Sequence, residues 1–90
     1  MEAVNLRPQW WRNMITSAQI RAARGLLQMS QQDLAAAAGV HVATIARLEK
    51  MPGRLKGMIE TVESVEAALR SKGIQFVEGG VVYEGGRKLE

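Results

Sequence analysis

The residues able to do chemistry in this 90-residue chain are few and mostly cationic: twelve Lys and Arg, nine Asp and Glu, one histidine (His41) and no cysteine. They do not make a catalyst. A nucleophile needs a base placed beside it, a thiolate metal site needs cysteines, and a phosphate-cradling loop needs glycines between a strand and a helix. The sequence shows none of these, so an enzyme is the least favoured function and no metal or cofactor is expected. What remains is charge. Residues 1–57 carry Arg7, Arg12, Arg21, Arg24, Arg47, Lys50, Arg54 and Lys56 against Glu2, Asp33 and Glu49, a net of +5. Residues 58–90 carry four basic and six acidic residues, a net of −2. That polarity suits a domain presenting one face to phosphate and the other to solvent or a partner.

The basic half is organised around Ser30 to Glu49, SQQDLAAAAGVHVATIARLE. Ser30 followed three residues later by Asp33 resembles a capping box, in which the hydroxyl accepts from an orphaned backbone N–H and the acid favours the positive helix end. Leu34 and Ala38 share one face, and Ala35 to Ala37 are small enough to admit a neighbouring helix. Gly39 is the stop, because glycine reaches the left-handed conformation without steric penalty. Val40 follows as an apolar plug and His41 stands where an N-cap stands. Val42 to Lys50 makes a second helix with Ile45 and Leu48 facing inward. Two short helices joined by a glycine turn form the layout of a helix-turn-helix, whose second helix enters the DNA major groove.

This stretch resembles the helix-turn-helix of the Xre, or lambda-repressor-like, family of bacterial and phage regulators. The upstream IRAARGLLQM resembles that family's first helix. The resemblance covers Ile15 to Phe76 and keeps Arg24, Leu27, Ser30, Gln31, Leu34, Ala35, Gly39, Val40, Thr44, Ile45, Leu48 and Glu49 in register. It implies a mainly α fold, a compact four-helix DNA-binding domain, here followed by a C-terminal β-hairpin. It also implies which side chains face DNA. Gln31 would contact a phosphate and buttress the recognition helix. His41 would lie at the helix entrance, near the backbone or the first base; the alternative is a plain N-cap without a DNA role. Val42, Ala43, Thr44 and Arg47 would face base edges and the flanking backbone. Arg24 is expected to pair with Glu49 and clamp the first helix to the third; the alternative is a solvated Arg24 without a fixed partner.

Here the chain departs from a strong reader. Val42 and Ala43 can make only apolar contacts, for instance to a thymine methyl, and Ala46 adds nothing polar. Arg47 is left as the side chain able to grip guanine O6 and N7 with two bonds. Specificity would then rest partly on DNA shape.

The remaining segments are read from their own residues. Met1 to Met14 contains Pro8 and the Trp10-Trp11 pair and has no clear periodicity. Either the tryptophans pack onto the domain or a second subunit, or the segment is an arm along DNA with Arg7 and Arg12 on phosphates. Thr16 caps a first helix from Ser17 to Leu27 or Gln28, with Ile20, Ala23 and Leu27 as its core stripe. Gly25 within it costs up to about 1 kcal/mol relative to alanine, so tertiary packing must hold this helix. After Glu49, KMPGRLKG is a loop, since Pro52 and Gly53 end the helix. Lys50, Arg54 and Lys56 make it basic, either as a phosphate-holding loop or as a solvated one.

A fourth helix is expected from Glu60 or Thr61 to Lys72, with Val62, Val65 and Leu69 on one face. Its acids lie toward the N-terminal half and Arg70 and Lys72 at the other end, matching the helix dipole. Gly73 ends it. IQFV and VVY then flank Gly79-Gly80, a pair suited to a tight primed turn, so Ile74 to Tyr83 is a hairpin candidate. Alternation puts Ile74 and Phe76 on one face, and Val81 and Tyr83 together on the return strand. An isolated hairpin is marginal in water. It either closes one edge of a monomer or pairs with a copy of itself through those four residues. The second is favoured, because such domains commonly work as two-fold dimers on paired half-sites. The expected divisions are an arm (1–14), a DNA-binding domain (15–73), a hairpin (74–84) and a tail (85–90).

The function expected is a sequence-specific transcriptional regulator, most simply a repressor binding double-stranded DNA as a homodimer. A different class of reading is an antitoxin-like or accessory module whose hairpin or tryptophan arm binds a toxin-like protein, with DNA binding secondary. The apolar recognition surface favours that alternative. No run approaches the ~18 apolar residues of a membrane helix, and the N-terminus lacks the apolar run of a signal peptide. The expected location is the cytoplasm, on the nucleoid.

Overall fold

Thr16 opens the fold through a reciprocal pair of bonds. Its hydroxyl accepts from the Gln19 N–H at 3.1 Å, and the Gln19 carboxamide oxygen accepts from the Thr16 N–H at 2.9 Å. This box starts α1, Ser17–Leu27, in the computed structural model, which describes residues 15–51 and 59–84. The helix ends in a left-handed residue, Gln28, with φ at 57°. The Gln28 N–H reaches Gly25 O at 3.2 Å and the Met29 N–H reaches Arg24 O at 3.0 Å, the two bonds of a Schellman motif.

The next helix repeats the same grammar. Ser30 Oγ accepts from the Asp33 N–H at 2.9 Å and Asp33 Oδ2 accepts from the Ser30 N–H at 3.0 Å. These bonds open α2, Gln31–Ala38. Gly39, with φ at 74°, and Val40 then donate to Ala36 O and Ala35 O, closing a second Schellman motif. Met29 and Val40 hold the equivalent position after each turn, and both pack against the core. The third helix, α3, is Val42–Leu48. His41 occupies its N-cap position, but the side chain makes no capping bond. The fourth, α4, is Ile59–Ser71, displaced by about a residue toward the N-terminus from its expected span.

Strands β1, Ile74–Val77, and β2, Gly80–Tyr83, pair antiparallel, with Ile74 opposite Tyr83 and Phe76 opposite Val81. The turn is Glu78-Gly79 rather than the expected Gly79-Gly80, because Gly80 pairs with Val77 as the first residue of β2. Of the two turn residues only Gly79 has a positive φ, 75°. That is the pattern of an unprimed type II turn, not the expected primed one.

This register puts Ile74, Phe76, Val81 and Tyr83 on one face, and that face is turned toward the helices. Ile74 is 1% exposed and belongs to the core, and Phe76 and Val81 are half-buried against it. The expectation that these residues meet a second copy is therefore corrected for Ile74, whose side chain is enclosed by its own domain. Of the four, Tyr83 stays exposed. The hairpin is tied down on both sides. The Gln19 carboxamide nitrogen donates to Val77 O and Gly80 O, both at 2.8 Å. Arg70, bonded to Glu66 Oε2 at 2.6 Å, lies over the Phe76 ring at 5.4 Å.

The core draws on all four helices and β1. Ile15, Ile20, Leu34, Ile45, Leu48, Val62, Val65, Leu69 and Ile74 are all at most 1% exposed. Each such side chain contributes roughly 1.5–3 kcal/mol by leaving water. Their joint effect is to hold α3 by its Ile45 and Leu48 side, which decides what the other side presents.

Candidate nucleic-acid interface

With Ile45 and Leu48 buried, the outward surface of α3 is His41, Val42, Ala43, Arg47 and Lys50, all exposed, with Thr44 and Ala46 half-buried. Val42, Ala43, Ala46 and Arg47 fall on one helix face at the spacing i, i+1, i+4, i+5. The entry end is apolar, and Val42 is 40% exposed. The exit end is cationic. Among the described residues the Arg47 side chain has no hydrogen-bond or ion-pair partner, so its guanidinium is available to a ligand.

The inner end of α3 is held by a polar network centred on Glu49, which caps the helix and is 5% exposed. Arg24 Nε donates to Oε2 at 2.6 Å and Arg24 Nη2 to Oε1 at 2.9 Å. Gln31 Nε2 donates to the same Oε1 at 3.0 Å. The third nitrogen of the fork, Arg24 Nη1, donates to Met29 O at 2.9 Å. From the previous turn of α1, Arg21 Nη1 donates to the Glu49 carbonyl and reaches Ser17 Oγ at 3.4 Å. The C-terminal end of α3 is thus bonded to α1 and to the first residue of α2, and Arg24 ties the same network to the turn after α1. A planar five-donor fork suits this arrangement, since Arg24 engages three acceptors without moving.

The electrostatics follow from that enclosure. Burial pushes the Glu49 carboxyl up, but the Arg24 and Gln31 hydrogen bonds and the charges of Arg24 and Arg21 outweigh it. The group sits below its ordinary range. Glu49 in turn raises Arg24, against the opposing effect of burial. Asp33 is also held low, by the Ser30 N–H and hydroxyl. All three groups are therefore charged at neutral pH.

Gln31 makes the buttressing bond through one nitrogen, which leaves its second hydrogen directed elsewhere. Arg54 and Lys56 lie outside the described residues, as do Arg7, Arg12, Trp10 and Trp11. Two polar side chains that organise this region escaped the sequence reading. Arg21 had one local signal, its position a single turn before Arg24. Gln19 had its place three residues after Thr16, the glutamine of a capping box. Among the described residues no group of His, Asp and Glu has the arrangement of a metal site, and no helix is long and apolar enough to cross a membrane.

No curated protein matches the chain. A helix-turn-helix family model matches residues 20–70, more than half of its length, from within α1 to the last turn of α4. The match contains α2 with its capping box, the Gly39 turn, α3 and the network of Arg24, Gln31 and Glu49. The chain belongs to the lambda-repressor-like, Xre-type helix-turn-helix family of DNA-binding transcription regulators.

Proposed function

We propose that this protein is a sequence-specific repressor that binds a short pseudo-palindrome as a dimer, each copy laying α3 in the major groove. The observation that carries this reading is the contrast between the inner and outer sides of the C-terminal end of α3. Glu49 is locked in a bonded network, while the side chain of Arg47, two residues earlier, is exposed and without a partner among the described residues. A reader must be positioned before it arrives, because ordering a side chain on binding lowers affinity. In this reading Arg47 grips a guanine edge, and Val42 and Ala43 lie against thymine methyls. Thr44, His41 and the second Gln31 hydrogen meet the flanking backbone. Lys50, with Arg54 and Lys56, holds phosphates.

Phosphate contacts make binding salt-dependent, each adding about 0.9 to the slope of log affinity against log salt. Affinity for duplex DNA measured by fluorescence anisotropy across a salt series tests the interface. Lys50→Ala should reduce the slope by about 1. A wild-type slope near zero contradicts the reading.

The exposed Val42 and Ala43 favour a second reading, an antitoxin-like or accessory module in which this apolar entry meets a protein partner. An apolar interface of that kind would hold as salt rises. The same series separates the two.

A further inference from the structure

Helices α1 and α2 carry their own punctuation, a capping box at the start and a left-handed turn at the end. The seven-residue α3 lacks both. His41 makes no side-chain capping bond, and Glu49 ends the helix in a right-handed conformation, φ −74° and ψ −10°. Its closing turn is short-range: the Lys50 N–H donates to Arg47 O at 3.1 Å and the Met51 N–H to Leu48 O at 3.3 Å. Local chemistry therefore leaves the direction of α3 open, and bonds from α1 supply it.

Two arginines one turn apart on α1 hold Glu49 at different places. Arg24 binds its carboxylate at 2.6 and 2.9 Å, and Arg21 Nη1 donates to its backbone carbonyl. The two bonds restrain different things. The carboxylate hangs on a side chain with its own rotations, so the Arg24 fork tolerates some turning of the helix backbone. The carbonyl belongs to that backbone, and among the described residues no backbone N–H reaches it. On the reading that α3 lies in the major groove, we infer that Arg21 is a positioning residue. By holding the Glu49 carbonyl it sets the angle of the α3 backbone and so aims Arg47 at its guanine. Arg47 leaves that backbone two residues earlier, and a two-bond contact to O6 and N7 survives only while the guanidinium plane keeps its orientation. Arg21 acts this way without touching DNA.

Arg21→Met keeps the apolar stem of this exposed side chain and removes its donors. Amide hydrogen exchange of the full chain without DNA reads the restraint. The Glu49, Lys50 and Met51 amides, bonded to Ile45 O, Arg47 O and Leu48 O, should exchange about threefold faster or more, while those of α2 keep their rates. Should Arg21→Met lose the helical far-UV circular dichroism, the shorter Arg21→Gln takes its place. On duplex DNA, the preference for the selected site over one with each guanine replaced should fall about threefold or more. The slope of log affinity against log salt should stay at its wild-type value. In an Arg47→Ala background, Arg21→Met should lower the preference no further, because both residues act through one contact. Unchanged amide exchange overturns the proposal whatever the DNA result. So does a slope reduced by about 1 with the preference intact, which would make Arg21 a phosphate contact. A further loss of preference in the Arg47→Ala background has the same consequence. A wild type without any guanine preference overturns the major-groove reading instead, and faster exchange in Arg21→Met would then still leave the α3 backbone under the control of Arg21.

Discussion

Arg24 and Glu49, twenty-five residues apart, meet in a two-bond ion pair with Nε 2.6 Å from Oε2 and Nη2 2.9 Å from Oε1. The pair is unequally placed: the arginine side chain is 21% exposed and the glutamate 5%. Exposed ion pairs contribute little, whereas removing one member of an enclosed pair leaves the other without a counter-charge. Glu49→Ala should therefore destabilise the domain by about 2–3 kcal/mol, less than for a fully buried pair because water still reaches Arg24. Melting followed by circular dichroism should show a fall of at least about 8 °C. A wild-type melting curve would remove the clamp from the account.

Acid should act through the same carboxylate. Glu49 and Asp33 are both held below their ordinary values. Their contributions are present in full above the unfolded carboxylate values, about 3.9–4.3, and are lost as pH falls through the lower folded values. Glu49→Gln carries no charge to lose at this position. The stability gap between wild type and Glu49→Gln should therefore narrow from about pH 5 to pH 3. Urea unfolding across that range measures it, and a constant gap contradicts the stated origin of the shift.

Two positions in α1 and its turn are open to improvement. Gly25 lies inside the helix, exposed, and a Cβ built there meets nothing within 4 Å. Gly25→Ala should stabilise by about 0.5–1 kcal/mol. Gln28 sits in the left-handed region at φ 57°, where a side chain is strained and glycine is not. Gln28→Gly should stabilise by about 1 kcal/mol. Either variant melting below wild type would show that the turn is held differently.

What was legible in the sequence was mostly local. Ser30, Asp33 and Gly39 announce α2 because capping and left-handed turns depend on neighbours a few residues away. Gln28 gives no such notice. It takes glycine's place in an otherwise identical turn, and its conformation follows from Met29 being drawn into the core. Gly79 and Gly80 are equally permissive, so local chemistry does not distinguish a turn at Gly79-Gly80 from the observed turn at Glu78-Gly79. Packing chooses the register that puts Ile74, Phe76 and Val81 against the helices. Gln19 lies 58 residues from Val77, and Arg21 meets the end of α3 through a carbonyl. Neither contact has a periodicity to reveal it. On the outward side of α3 the reading depended on the buried side, since placing Ile45 and Leu48 inward exposes Arg47.

The most direct test of the central claim is a selection of bound sequences from random duplex DNA at physiological salt, run with wild type and with Arg47→Ala. The account predicts a two-fold-symmetric motif with a fixed guanine in each half-site. That guanine preference should relax in Arg47→Ala, at a cost of about 1–3 kcal/mol on the best site, while the melting temperature stays unchanged. An identical motif from both proteins would contradict base reading by Arg47. So would wild-type binding that yields no motif and disappears as salt is raised.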